Sequence, residues 1–94
     1  MDINKITHEI IDSAYTVHTA LGPGLLESSY RTCLAYELRQ KGFLVEEEKP
    51  LPLVYKEIKL DHGYRIDLLI QNVVIVELKT VEQFSDVHKA QILT

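Results

Sequence analysis

The chain has 94 residues, 46% hydrophobic and 26% charged, a length and composition that suit one small globular domain and exclude two. No run approaches the roughly 20 apolar residues of a membrane-spanning helix, no secretory signal is recognisable, and the single cysteine, Cys33, excludes an internal disulfide, so we expect a cytoplasmic protein. The formal net charge of −4 argues mildly against nucleic acid as a partner, because phosphate groups are bound by Lys and Arg.

Two amphipathic helices are predicted at the start of the chain. The first covers about residues 3–21, because apolar side chains recur there at steps of three and four and Gly22-Pro23-Gly24 follows. The second covers about residues 25–41 and ends at Gly42. The residues predicted to face the core are Ile3, Ile6, Ile10, Ala14, Val17 and Leu21 in the first helix and Leu26, Tyr30, Leu34 and Leu38 in the second.

Short strands and turns are predicted between residues 43 and 63. Residues 43–48 form a candidate strand, and the prolines within 49–52 indicate a turn or a sheet edge, because each proline removes a ladder donor. Two further short strands flank a turn at Lys56-Glu57, and Asp61-His62-Gly63 is predicted as a second turn.

Two strongly apolar strands follow, over residues 64–70 and 73–79, and both contain charged residues. Asp67 lies in the first strand, and Glu77 and Lys79 lie in the second. Since burying an unpaired charge costs several kcal/mol, a bound metal ion and a phosphate would be natural neutralising partners. The order of two helices, strands and a final helix predicts an α/β or α+β sandwich, with the sheet covered on both faces.

The length of the turn between these two strands decides whether the acids meet. A two-residue turn at Gln71-Asn72 would send Asp67 and Glu77 to opposite faces of the sheet. A three-residue turn would pair Ile70 with Val74 and set Asp67 directly opposite Glu77. We predict the three-residue register, or a bulge with the same effect, because it also gathers the apolar residues of both strands on one face.

Oxygen ligands at this place would suit a hard divalent cation, Mg²⁺ or Mn²⁺. Asp67 and Glu77 supply carboxylates, and the backbone carbonyl of Leu78 is a third candidate ligand. The ion would polarise a scissile phosphate, while Lys79 would position the attacking water and stabilise developing charge. The alternative is a structural salt bridge that joins these acids to Lys79 or Arg65.

Glu27 has two interpretations. With Gly24 as the cap of the second helix, Glu27 is the third helical residue, where a glutamate bonds the cap amide and complements the helix dipole. It could instead face the strand carboxylates as a further metal ligand. The spacing alone leaves both interpretations open.

Several segments of the chain resemble a known family. Gly24, Glu27 and Tyr30 match the signature of the GxxExxY protein family, and matches continue through residues 50–52, 55–56, 63–67, 76–79 and 88–91. The resemblance covers nearly all 94 residues. That family is assigned to the PD-(D/E)xK nuclease superfamily, whose pattern the spacing of Asp67, Glu77 and Lys79 also resembles.

The resemblance implies a restriction-endonuclease-like α/β core, with a mixed sheet flanked by helices, in one domain over residues 1–94. It also implies a metal-dependent nuclease that hydrolyses the phosphodiester bonds of nucleic acid, and it adds Glu27 to the metal ligands. The alternative is a non-catalytic binding or assembly module on the same scaffold, which the acidic net charge favours.

Three further residues are candidates for the site. Gln91 falls in the last predicted helix, from about Ser85, where it would orient water or substrate phosphate or else satisfy a sheet edge. Tyr30 is expected to be a packed aromatic with a bonded hydroxyl, and His18 a hydrogen-bonded structural group, although both could be accessory to the site. Because the chain stops three residues after Gln91, we expect the family's last strand to be missing. Either the chain is a fragment, or a second copy supplies the missing part in a homodimer.

Overall fold

The computed structural model describes residues 2–79 of the chain. Two helices come first and three strands follow. Their bounds are α1 (Ile3–Leu21), α2 (Glu27–Gln40), β1 (Val45–Tyr55), β2 (Ile58–Ile70) and β3 (Val74–Val76). This order confirms the predicted α/β class and the two N-terminal helices, while the predicted C-terminal helix lies outside the described residues.

The helix α1 has the predicted bounds, whereas α2 begins later than predicted. The Asp2 carboxylate accepts a hydrogen bond from the Asn4 N–H at 3.0 Å and caps α1, and Gly22, with a φ of 72°, ends it. Gly24 has a φ of 95°, which keeps it inside the connecting loop. Gly24 therefore does not cap α2, and Glu27 is the first helical residue rather than the third. Neither described helix combines the length and the apolar character needed to cross a membrane.

The three strands form one antiparallel sheet in the order β1-β2-β3, so β2 is its central strand. Between residues 45 and 76 both strand pairs are antiparallel, and the parallel pairing that a mixed sheet requires is not present there. One core joins both helices to the sheet and consists of Ile6, Ile10, Val17, Leu34, Ala35, Leu38, Val45, Leu68 and Ile70. The predicted core positions near the helix ends differ, since Ile3, Leu21 and Leu26 are exposed.

The ribbon of β1 and β2 is longer than the sequence predicts. The turn at Lys56-Glu57 is confirmed. The prediction of a turn at residues 61–63 is wrong, because these residues continue β2 and lie opposite Pro52, where the register shifts. Pairing with β1 outweighs the local turn preference of this segment. The strand β1 lies at an edge of the described sheet, where Pro50 and Pro52 are tolerated because one side of the strand needs no donor.

An ion-pair cluster joins the end of α2 to α1. The Lys41 Nζ atom lies 3.0 Å from Glu9 Oε2 and 2.9 Å from Asp12 Oδ2. The hydrogen bond from Lys41 holds the pKa of Asp12 below its ordinary value, and the same bond raises the pKa of Lys41. Asp12 is solvent-exposed, so the cluster contributes modestly and is screened by salt.

We predict that Lys41→Met lowers the melting temperature slightly at pH 7, and that Lys59→Met, at an exposed lysine of β2, does not. A lowered Asp12 pKa contributes stability above the unfolded pKa that is lost as pH falls through the folded pKa. A raised Lys41 pKa contributes stability below the unfolded pKa that is lost as pH rises through the folded pKa. The difference between wild type and Lys41→Met should therefore shrink at both extremes and in high salt when melting is followed by circular dichroism. A difference that is unchanged in strong acid would contradict this explanation.

Candidate active site

The turn between β2 and β3 has the predicted register. Ile70 pairs with Val74, which confirms the three-residue connection. Gln71 and Asn72 have φ values of 54° and 58°, and the Val73 N–H donates to the Ile70 carbonyl at 3.0 Å, which are features of a type I′ turn. Val73 is thus an extra residue after a tight two-residue turn, and it shifts the pairing by one position.

Gln71 links this turn to Leu44, the residue that precedes β1. Its backbone N–H donates to the Leu44 carbonyl at 2.9 Å. The Leu44 N–H donates in return to the Gln71 side-chain oxygen. A side-chain contact of this kind offsets the strain of a positive φ at a residue other than glycine.

The ladder of β2 and β3 ends one residue before the two acids. Leu68 pairs with Val76, the last pair, so the same register continued by one step would set Glu77 opposite Asp67. The Leu78 N–H donates to Asp67 Oδ2 at 2.8 Å, which holds this segment against β2. The strand predicted through residue 79 is wrong in its last part, because β3 ends at Val76 and the Asp67 side chain takes the Leu78 amide in place of a ladder bond. The alternation that would put Glu77 and Lys79 on one face therefore stops before them.

The ladder is also interrupted on the other side of Asp67. The pairs on either side of Glu48 follow a register that would set Glu48 opposite Asp67, but the ladder omits this pair. Glu48 has a φ of 48°, and its Oε1 lies 3.4 Å from Nη2 of Arg31 in α2. Asp67 therefore has an irregular neighbour in both adjacent strands. Irregularities of this kind are enriched beside active sites.

Tyr64 makes a contact with Glu77 that the sequence did not reveal. Its hydroxyl donates to Glu77 Oε1. This hydrogen bond, together with desolvation and the charges of Glu77 and Asp67, raises the pKa of Tyr64. Asp67 is half-buried and Glu77 is exposed, so both carboxylates have access to solvent. The sequence carried no signal for this contact, because Tyr64 lies three positions before Asp67 and alternation places their side chains on opposite faces of a regular strand.

The structural salt bridge weighed against the metal site is not formed within residues 2–79. Lys79 is exposed, and neither Lys79 nor Arg65 makes an ion pair with a described carboxylate. The side chain of Leu78 packs against the core, which fixes the backbone between Glu77 and Lys79. Gln91 lies outside the described residues.

Glu27 is placed at the N-terminus of α2, where its charge complements the helix dipole. Over the described part of the chain, no three His, Cys, Asp or Glu side chains are grouped so that they could hold a metal ion. Glu27 is therefore not gathered with Asp67 and Glu77 into a three-carboxylate cluster. Its role as a metal ligand stays a prediction.

Tyr30 and His18 have different surroundings. The Tyr30 hydroxyl donates to the Gly22 carbonyl at 2.6 Å and accepts from the Leu25 N–H at 3.1 Å, so Tyr30 is a bonded, partly buried aromatic as expected. It holds the loop in which Gly22 and Gly24 adopt positive φ. The His18 side chain is exposed in the last turn of α1 and makes no hydrogen bond with the residues that the structure describes, whereas its backbone carbonyl accepts from the Gly22 N–H.

Comparison with known proteins assigns the class. A family model described as the PD-(D/E)XK nuclease superfamily matches residues 4–94, which is nearly the whole chain. The chain belongs to the PD-(D/E)XK nuclease superfamily. None of the curated proteins and none of the solved structures compared matches it.

The Tyr30 contacts predict a stability effect. We expect Tyr30→Phe to lower the free energy of unfolding by about 1–2 kcal/mol, because the Gly22 carbonyl and the Leu25 amide lose their shared partner. Tyr36→Phe is the matched control, since Tyr36 is exposed on the same helix. Urea denaturation of both variants measures the difference. Equal values for Tyr30→Phe and Tyr36→Phe would show that the hydroxyl does not hold the loop.

Proposed function

We propose that the protein is a metal-dependent nuclease that hydrolyses the phosphodiester bonds of nucleic acid. Membership of the nuclease superfamily supports this proposal. The single observation that carries it is the bond from the Leu78 amide to Asp67, together with a β2–β3 register that would set Glu77 opposite Asp67 if continued one step beyond Val76.

The donor set fits a hard divalent cation. The Asp67 and Glu77 carboxylates and the Leu78 carbonyl are all oxygen ligands, which Mg²⁺ and Mn²⁺ prefer. Asp67 Oδ2 and Glu77 Oε1 each accept one protein hydrogen bond, and each carboxylate has a second oxygen to offer. Two carboxylates suffice for Mg²⁺, because this ion keeps several waters and also binds substrate phosphate. When bound, the ion would polarise the phosphate and lower the pKa of a water.

The remaining roles, in holding water, stabilising charge and binding nucleic acid, are assigned to other side chains of the chain. Lys79 follows the Glu77-Leu78 segment, and its ammonium is exposed, so it is suited to hold the attacking water and to offset charge on the phosphoryl oxygens. Glu27 and Gln91 remain candidates for a further metal ligand and for a group that orients the water or the substrate phosphate. Lys56, Lys59 and Arg65 are exposed cations on the same strands and turn, and they would contact the nucleic-acid backbone.

We predict that the full chain cleaves labelled DNA or RNA only with Mg²⁺ or Mn²⁺, and that Asp67→Asn and Lys79→Ala each reduce the rate about 10²-fold or more. The two variants should differ in how their melting temperatures respond to Mn²⁺. Millimolar Mn²⁺ should raise the melting temperature of wild type and of Lys79→Ala by mass action but should leave Asp67→Asn unchanged. Lys5→Ala, at an exposed lysine of α1, serves as the control.

Two results would reject this proposal. Equal cleavage by wild type and both variants would point to a contaminating nuclease. Absence of both cleavage and a Mn²⁺-dependent melting shift would favour the alternative, a non-catalytic binding or assembly module, which the net charge of −4 supports.

We also propose that the protein is cytoplasmic, where the single cysteine, Cys33, is kept reduced, and that two copies of the chain form a dimer. The support is the exposed end of the β1–β2 ribbon, where Leu53, Val54, Tyr55 and Ile58 are 45% to 70% exposed. A two-stranded ribbon is marginal in water unless another surface covers it.

The proposed interface predicts that one charge introduced into the ribbon weakens the dimer. We expect light scattering to give about twice the 10.8 kDa mass of one chain, and Ile58→Lys to weaken the dimer by about tenfold or more. Ile11→Lys, at an exposed position of α1, should leave the dimer intact. A monomeric wild type, or equal weakening by both substitutions, would remove the ribbon as the interface.

A further inference from the structure

The two acids of the candidate site are held in different ways. Asp67 accepts a hydrogen bond from the backbone N–H of Leu78. Glu77 accepts one from the hydroxyl of Tyr64, which is the one hydrogen bond that its side chain receives from another described residue. A backbone donor is fixed by the fold, whereas the Tyr64 donor can be removed by deleting a single oxygen atom.

The Glu77 side chain receives no other hydrogen bond from a described residue to fix its orientation. The bond from the Leu78 amide to Asp67 holds the neighbouring backbone, but Glu77 lies just beyond the end of β3 and its side chain is exposed. An exposed glutamate samples several rotamers, and ordering it costs conformational entropy. Tyr64 lies in the central strand, where it pairs with Leu51, and has only two rotatable side-chain torsions, so it is a more rigid donor.

The bond leaves Glu77 able to bind an ion. A carboxylate has about four acceptor positions, and the Tyr64 hydroxyl occupies one of them on Oε1. Partners that hydrogen-bond to metal ligands orient them, and their loss typically costs about 10–100-fold in metal affinity or activity. Tyr64 is thus placed to orient Glu77 without competing for its second oxygen.

We propose that Tyr64 is a positioning residue that holds the Glu77 carboxylate in place for a divalent cation shared with Asp67. This inference rests on the proposed function. It assigns Tyr64 a role that acts entirely through Glu77.

The test measures Mn²⁺ binding to the full chain by titration calorimetry. Tyr64→Phe should raise the dissociation constant for Mn²⁺ by about tenfold. The matched control is Tyr15→Phe, at an exposed tyrosine of α1, and its Mn²⁺ affinity should equal that of wild type. In cleavage assays, Tyr64→Phe should need more Mn²⁺ for half-maximal rate but should approach the wild-type rate when Mn²⁺ saturates.

A double-mutant cycle separates positioning from a general structural role. Tyr64→Phe added to Glu77→Gln should cause no further loss of Mn²⁺ affinity, because the group that Tyr64 orients is already changed. The melting temperature of Tyr64→Phe without metal should stay close to that of wild type, whereas the rise that Mn²⁺ causes should be smaller.

The outcomes distinguish this inference from the proposed function. If wild type binds Mn²⁺ and Tyr64→Phe binds it equally well, the role of Tyr64 is overturned while the metal site stands. The role is likewise overturned if Tyr64→Phe weakens binding as much in Glu77→Gln as in wild type. If wild type binds no Mn²⁺, the metal site itself is rejected, and the role of Tyr64 is rejected with it.

Discussion

The candidate site depends on one extra residue in the turn between β2 and β3. Val73 follows a tight turn at Gln71-Asn72 and shifts the pairing so that Ile70 faces Val74. Side chains alternate along a strand, so a slip of one residue would exchange the faces of β3. The shift keeps the apolar residues of β2 and β3 together, and the same register continued past Val76 would set Glu77 at the level of Asp67. Core packing and site assembly therefore select the same register.

The polar residues of the site also explain how carboxylates are tolerated next to the core. Asp67 is half-buried in the central strand, yet a backbone amide satisfies one of its oxygens. That amide is available because β3 ends at Val76, and on the other side Glu48 leaves the ladder. Such interruptions free main-chain groups that a regular sheet would use in pairing. The sheet thus gives up regular pairing around Asp67 and gains space for polar groups there.

Sequence patterns predicted the parts of this structure that depend on local periodicity. The bounds of α1 follow from its apolar spacing, and the β2–β3 register follows from alternation across both strands. The start of α2 was predicted too early because the Tyr30 hydroxyl bonds the carbonyl of Gly22, eight residues before it, and holds the loop that precedes the helix. The strand through residues 61–63 depends on pairing with β1, and the contact of Tyr64 with Glu77 depends on a register. These contacts are non-local, and no short pattern indicates them.

Gly24 and Tyr30 have structural roles, so their presence is weak evidence for catalysis. Gly24 has a positive φ and Tyr30 bonds the same loop, so both residues are explained by the connection between α1 and α2. The structure of this loop therefore explains two of the three residues in the GxxExxY signature. The third, Glu27, lies at a helix N-terminus, where a negative charge is favourable in any protein. The signature by itself is thus weak evidence for chemistry. Asp67 and Glu77 are stronger evidence, because neither packing nor capping requires the Leu78 amide to bond Asp67 or the Tyr64 hydroxyl to bond Glu77.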